Sequence, residues 1–223
     1  MTGPVRGLGK AARFPGATGT GPDPDPRPAP VPRADRGFAW LLVVAGSLGL
    51  LGSFVIAIDK IRLLEDPAFT PACSFNAVLS CTDVMRSEQA SAFGFPNPLI
   101  GLAAFAVVIA IGFGLLAGAR YRRWHWIGLN LGTLLGTGFC MWLMTQALYR
   151  IGALCLWCVL VWVVTIALFW YTTVHNIRHG IVPAPRALVA GAVEFHWAVP
   201  TTWYLVIAML IGTRFWSYWQ TLL

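Results

Sequence analysis

Charged side chains are scarce in this 223-residue chain: Asp, Glu, Lys and Arg make up 11% of it, and 57% of it is hydrophobic. An average soluble domain carries about 25% charged residues. Several apolar runs are longer than the roughly 18 residues that mark a transmembrane helix. The composition therefore excludes an ordinary soluble protein and predicts an all-α integral membrane protein.

The apolar runs also lack charge in their interiors. We predict spans at about 38–58, 98–119, 126–149, 152–175 and 197–215, which form a four-helix transmembrane bundle plus a fifth transmembrane helix. The cores of the first four contain no Asp, Glu, Lys or Arg. A transporter usually needs intramembrane charge, so a transporter ranks last among the functions considered.

Basic residues are spread unevenly over the two sides of the predicted membrane. With the N-terminus inside, 11 Lys and Arg residues fall on the inner side and 5 on the outer side. This bias predicts a multi-pass protein of the cell membrane with a cytoplasmic N-terminus. The net charge of +7 does not indicate nucleic-acid binding, because the basic residues are scattered at the ends of the spans.

Composition divides the chain into three segments. Residues 1–37 hold eight of the 15 prolines and little apolar content, which predicts a disordered cytoplasmic tail. Residues 38–175 are predicted to form a four-helix catalytic bundle, with an outer loop at 59–97. Residues 176–223 are predicted to form an inner loop, the fifth helix and a short outer tail.

Cysteine is the residue type that carries chemistry here, and there are only five. Cys155 and Cys158 form a CxxC at the start of the fourth span, and this spacing places both on one helix face within reach of a disulfide. Unpaired N–H groups in the first helical turn favour a thiolate at Cys155. The alternatives are a zinc half-site or two buried apolar cysteines. With no second CxxC and no His cluster, we predict no metal.

Cys73 and Cys81 lie in the predicted outer loop, where a purely structural disulfide is the alternative interpretation. A short helix is predicted at about 80–92. The topology places this pair and the CxxC on the same, extracytoplasmic side, where disulfides persist. Two pairs on one side favour exchange, because a thiolate of one pair can attack the other. Cys140, in the middle of the third span, is expected to be a buried apolar cysteine.

Together these residues resemble the vitamin K epoxide reductase family, including its bacterial disulfide-forming members. The resemblance covers about residues 38–175. It rests on Cys73-x7-Cys81-x5-Ser87, on Phe93-Gly-Phe-Pro-Asn97 followed by Gly101, and on Cys155-Leu-Trp-Cys158. It implies a four-helix bundle around a quinone, menaquinone or ubiquinone, close to the CxxC.

The resemblance also implies roles for individual residues. Cys73 and Cys81 would pass electrons from a thioredoxin-fold extracytoplasmic oxidase to Cys155, and Cys158 would face the quinone. The implied or expected quinone contacts are Ser87, Asn97, Trp157 and Trp162. Of these, Trp162 stands where vertebrate members have a Tyr. Trp157 is expected to form part of the apolar wall of the quinone pocket, together with Phe105, Phe139 and Trp142.

The sequence therefore predicts a quinone-dependent thiol oxidoreductase that drives disulfide formation outside the cytoplasm. The alternatives are an enzyme that acts chiefly on the quinone or on vitamin K epoxide, and a non-enzymatic metal-delivery or assembly protein. The four-helix periplasmic oxidases form a different family with the CxxC before the spaced pair, and the reversed order here argues against them. Many bacterial members fuse a thioredoxin-like domain after the fifth span. This chain ends at Leu223, so we expect the partner to be a separate protein.

Overall fold

The computed structural model describes residues 36–220, apart from the side chain of Trp219. The tail predicted for residues 1–37 therefore lies outside the described residues, except for Arg36 and Gly37, which begin the first helix. The α-helices are α1 (Arg36–Glu65), α2 (Cys81–Arg86), α3 (Pro98–Leu116), α4 (Arg123–Gln146), α5 (Leu156–Arg178), α6 (Arg186–Glu194), α7 (Ala198–Arg214) and α8 (Trp216–Gln220). A 3₁₀ turn, Glu88–Ser91, follows α2, and a π-helical turn, Ala147–Ile151, extends α4.

Four helical segments are long and apolar enough to cross a membrane: α1, α3, α4 with its π-helical turn, and α5. Helices α6 and α7 meet at an angle of 63° and together make a fifth candidate span. No strand occurs within residues 36–220, where a single isolated bridge joins Leu79 to Leu154. The all-α membrane architecture predicted from the sequence is confirmed.

The first helix continues well past the predicted end of its span at Ile58 and stops at Glu65. The reason lies in Pro67, because a residue that precedes proline is disfavoured in helical geometry and Asp66 is therefore excluded from the helix. As a consequence, Lys60 and Arg62 belong to α1 and not to a loop. The loop between α1 and α3, residues 66–97, is named the cysteine loop below.

The helix predicted at 80–92 is shorter and broken. Ser80 caps its start, because its hydroxyl accepts a hydrogen bond from the Asp83 main-chain N–H at 3.3 Å. Ser87 adopts an extended conformation, with φ −65° and ψ 149°, and separates α2 from the 3₁₀ turn. Cys81 is thereby placed at the first position of α2.

Helix α1 lies between α3 and α5, and α4 packs on the other side of α5. The α1–α3 contact is close because α3 presents Gly112 to α1. A Cβ atom at Gly112 would lie 2.8 Å from Val43 Cγ2 and 3.1 Å from the Ala39 main-chain oxygen. Small residues allow such close approach of membrane helices, where van der Waals packing drives association.

Replacing this glycine tests the packing. We expect Gly112→Ala to lower the free energy of unfolding by about 1–3 kcal/mol, because the new methyl group meets helix backbone that cannot move aside. Gly138→Ala in α4 is the control, since a Cβ there has no neighbour within 4 Å. Thermal unfolding in detergent measures both, and equal melting temperatures for the two variants would contradict the packing assigned to α1 and α3.

Candidate functional site

A short main-chain bridge joins the cysteine loop to the segment that precedes α5. The Ser80 N–H donates to the Leu154 carbonyl at 3.0 Å, and the Leu154 N–H donates to the Val78 carbonyl at 2.7 Å. The two segments run parallel at this point. Because Cys81 follows Ser80 and Cys155 follows Leu154, the bridge brings these two cysteines together.

The four predicted redox cysteines form one cluster. Cys73 and Cys81 are joined in a disulfide, whereas Cys155 and Cys158 are free thiols. The Sγ atom of Cys155 lies 3.1 Å from Sγ of Cys81. The sulfur atoms of Cys73, Cys81 and Cys155 all lie within 4.8 Å of one another. The loop pair therefore meets the CxxC through Cys81.

The surroundings of Cys155 lower the pKa of its thiol. The main cause is a hydrogen bond with the Cys158 thiol, and the main-chain N–H groups of Cys158 and Trp157 act in the same direction. Burial and the Asp59 carboxylate oppose them. Cys155 is the N-cap residue of α5, one position before the first turn in which the sequence placed it. Helix N–H groups reach it there and favour the thiolate.

The cluster is shielded from water. Cys81 is 0% exposed, Cys155 1% and Cys73 6%. Phe69 and Met85 pack around these sulfurs. Cys73 is the most accessible of the three, but it too is buried, so a thiol from outside the protein can reach it only when the cysteine loop moves.

A cavity of about 510 Å³ lies beside the sulfur cluster, and both Cys155 and Cys158 line it. Small-molecule sites typically measure roughly 300–1,000 Å³ and are mostly apolar. The lining comes from α1, α3, α4, α5 and the cysteine loop, and it extends to Trp124 and His125. In the described part of the chain, α3 and α4 both line the cavity without packing extensively against each other. The bundle is therefore least closed between these two helices.

Three of the four residues predicted to contact a quinone line this cavity: Ser87, Asn97 and Trp162. Trp162 follows Cys158 by one helical turn and so shares its face of α5. Trp157 does not line the cavity and packs instead in the sulfur cluster. It precedes Cys158 by one position, and neighbouring helical residues point in different directions.

Asn97 and Ser87 also shape the cysteine loop where it borders the cavity. The Asn97 side chain accepts a hydrogen bond from the Ala92 N–H at 3.0 Å and donates one to the Gln89 carbonyl at 2.7 Å. The Ser87 hydroxyl donates to the Val84 carbonyl at 2.7 Å. One amide N–H of Asn97 remains for a ligand, so Asn97 can serve the loop and the cavity together.

The cavity lining can be compared with the predictions made for the aromatic residues and for Cys140. Phe105 and Phe139 line it as predicted, while Trp142 stands behind Phe139 with ring centroids 5.7 Å apart. Cys140 is buried, as predicted, but it belongs to the cavity wall. His125, near the start of α4, also lines the cavity.

Lys60 is a charged residue of the cavity lining, and the sequence pattern did not mark it as a site residue. It is 8% exposed, and its ammonium group donates a hydrogen bond to the Met85 main-chain oxygen. The expected end of the span at Ile58 placed it in the loop, where it counted only toward the orientation. The available signal was its rarity, because Lys60 is the only lysine after the N-terminal tail.

The fifth candidate span supports the segment that leads to the CxxC. Arg214, at the end of α7, donates from Nε to the Leu148 carbonyl in the π-helical turn at 2.9 Å. Phe215 is buried in the same apolar cluster as Leu154 and Trp162. These contacts hold the chain immediately before Cys155.

A comparison of the sequence with known protein families identifies the family of this chain. A family model described as the vitamin K epoxide reductase family matches residues 40–173. The match runs from the start of α1 into the last turns of α5 and includes both cysteine pairs. A search of curated proteins finds no match. The chain belongs to the vitamin K epoxide reductase family, a family of membrane thiol–disulfide and quinone oxidoreductases.

Proposed function

We propose that this protein is a quinone-dependent thiol oxidoreductase that forms disulfides outside the cytoplasm, with a separate thioredoxin-fold protein as its thiol donor. The observation that carries the proposal is the 3.1 Å contact between Cys81 and Cys155. It joins a loop disulfide to a thiol that also lines an apolar cavity. Electrons can pass from one pair to the other without a change in the helices.

In the proposed cycle, partner thiols reduce the Cys73–Cys81 disulfide and become a disulfide themselves. Cys81 then attacks Cys155 of an oxidised Cys155–Cys158 pair, which releases Cys158. Cys73 next attacks Cys81 and restores the loop disulfide, which releases Cys155. The cysteines in the structure have the oxidation states that follow this last step. The lowered pKa of Cys155 favours its departure, because a thiol of lower pKa leaves faster.

Reoxidation of Cys155 and Cys158 forms one S–S bond and releases two electrons and two protons. A quinone, menaquinone or ubiquinone, is the substrate that accepts them and becomes a quinol. The cavity suits an apolar ring and offers few polar contacts, among them Asn97 and Ser87. Cys158 lies on the cavity wall and is the proposed electron donor, and the side between α3 and α4 is where an apolar tail can leave the bundle.

Two alternatives make different predictions. The first alternative is metal delivery, because the sulfurs of Cys73, Cys81 and Cys155 lie close enough to bind one metal ion once the disulfide is reduced. Stoichiometric metal in the reduced protein, without quinone reduction, would support this role. An enzyme that acts chiefly on vitamin K epoxide would reduce the epoxide with a small thiol donor. The apolar cavity beside the CxxC favours the redox functions over metal delivery.

The proposed orientation places the cysteine loop outside the cytoplasm. Ala77 in this loop and Ala119 between α3 and α4 are both exposed, whereas the native loop cysteines are buried. We expect a membrane-impermeant maleimide to label Ala77→Cys in intact cells and Ala119→Cys only after the membrane is opened. The reverse pattern would overturn the orientation and the extracytoplasmic role.

Removing Cys73 should stop the cycle at its mixed disulfide. In Cys73→Ala, Cys81 can still attack Cys155, but no thiol resolves the product, so we expect a Cys81–Cys155 cross-link to become the dominant form. Non-reducing digestion and mass spectrometry detect the joined peptides. The double variant Cys73→Ala/Cys155→Ser is the control and should lack them. A dominant Cys81–Cys158 link would show that the order of exchange is wrong.

Cys158 should be essential for quinone reduction. We expect Cys158→Ser to lower the rate by several orders of magnitude, as the loss of a catalytic nucleophile does. Cys140→Ser removes another thiol from the same cavity wall and should stay close to wild type. Quinol formation by purified protein, with reduced thioredoxin-fold partner as donor, measures both. Equal rates in the two variants would remove Cys158 from the reaction.

A further inference from the structure

A buried cation lines the cavity on the side of the redox cysteines. Lys60 shares the cavity wall with Cys155 and Cys158, and its ammonium donates to the Met85 carbonyl of α2. Within residues 36–220, Lys60 forms no ion pair with a carboxylate. It is also the only Lys or Arg in the cavity wall formed by these residues.

Such a placement lowers the stability of the fold, and this cost suggests that the charge has a function. Burial of an ammonium group is unfavourable, and one neutral carbonyl does not offset the lost hydration. An ammonium carries three N–H donors, of which the Met85 carbonyl takes one. A neutral donor such as Gln would satisfy that carbonyl equally well. The positive charge is therefore the property of Lys60 that the hydrogen bond does not explain.

We propose that Lys60 is a catalytic residue for quinone reduction, with its ammonium group next to the quinone oxygen at the end of the cavity near the cysteines. This inference rests on the proposed function. The two thiols lose two electrons and two protons as the Cys155–Cys158 disulfide forms, and the quinone gains the same number. Electrons supplied by a thiolate reach the ring before the protons do, so its oxygen gains negative charge. A preorganised cation in a low-dielectric site stabilises that charge most effectively.

Substitutions that separate charge from hydrogen bonding test this role. Lys60→Arg keeps the charge, Lys60→Gln keeps a donor without charge, and Lys60→Met keeps neither. We expect Lys60→Gln and Lys60→Met to lower kcat for quinone reduction by roughly 100-fold, and Lys60→Arg to retain most of it. Arg62→Gln is the matched control. Arg62 is an exposed cation of the same helix that does not line the cavity, so this change should leave kcat unaltered.

Binding without turnover gives a second readout. In a redox-inert Cys155→Ser/Cys158→Ser background, Trp fluorescence reports binding of two probes, neutral 2-methyl-1,4-naphthoquinone and 2-hydroxy-1,4-naphthoquinone, which is an anion at neutral pH. Adding Lys60→Gln should weaken binding of the anion by roughly 10- to 100-fold and leave binding of the neutral quinone nearly unchanged. Adding Lys60→Arg should preserve binding of both probes.

The possible failures are distinguishable. Wild-type kcat and unchanged anion binding in Lys60→Gln would overturn the role of Lys60 and leave the proposed function intact. Equal losses in Lys60→Gln and Lys60→Arg, together with lower melting temperatures, would assign Lys60 a purely structural role and also overturn the proposal. Wild-type protein that reduces no quinone would overturn the proposed function and the role of Lys60 with it.

Discussion

Two main-chain hydrogen bonds between the cysteine loop and the segment before α5 set the geometry of the redox site. Disulfide exchange requires sulfur atoms in contact, and the parallel bridge at Leu79 and Leu154 holds the chain immediately before Cys81 and Cys155. The contact of Arg214 with the π-helical turn supports the same segment from the other side. The fifth candidate span thus contributes to the site by holding the backbone, although it supplies none of the four clustered cysteines.

The site has two parts that meet at the CxxC. The sulfur cluster is dry and closely packed, whereas the neighbouring cavity is spacious enough for a ring-shaped ligand. Cys155 belongs to both, and its surroundings lower the pKa of its thiol. Burial of the loop disulfide shields it from thiols in solution, so its reduction from outside requires motion of the cysteine loop.

The length and the position of α1 connect the membrane fold to this chemistry. Helix α1 lies between α3 and α5, which a close approach at Gly112 makes possible. Because α1 continues until Pro67 forbids helix, its last turns reach the cysteine loop and carry Lys60 to the cavity wall. A helix that ended at the limit of its apolar run would leave the cavity without a cation.

The sequence by itself determined the all-α membrane class, the four long apolar helices and the positions of the two cysteine pairs, because apolar length and residue spacing are local properties of the chain. The contact of Cys81 with Cys155 depends on a bridge between residues far apart in sequence, so only the tertiary structure decided it. The orientation of α5 about its own axis likewise decides that Trp162 lines the cavity and that Trp157 packs against the sulfurs. The role open to Lys60 emerged for the same reason, since burial is a property of the packed bundle and not of the residue.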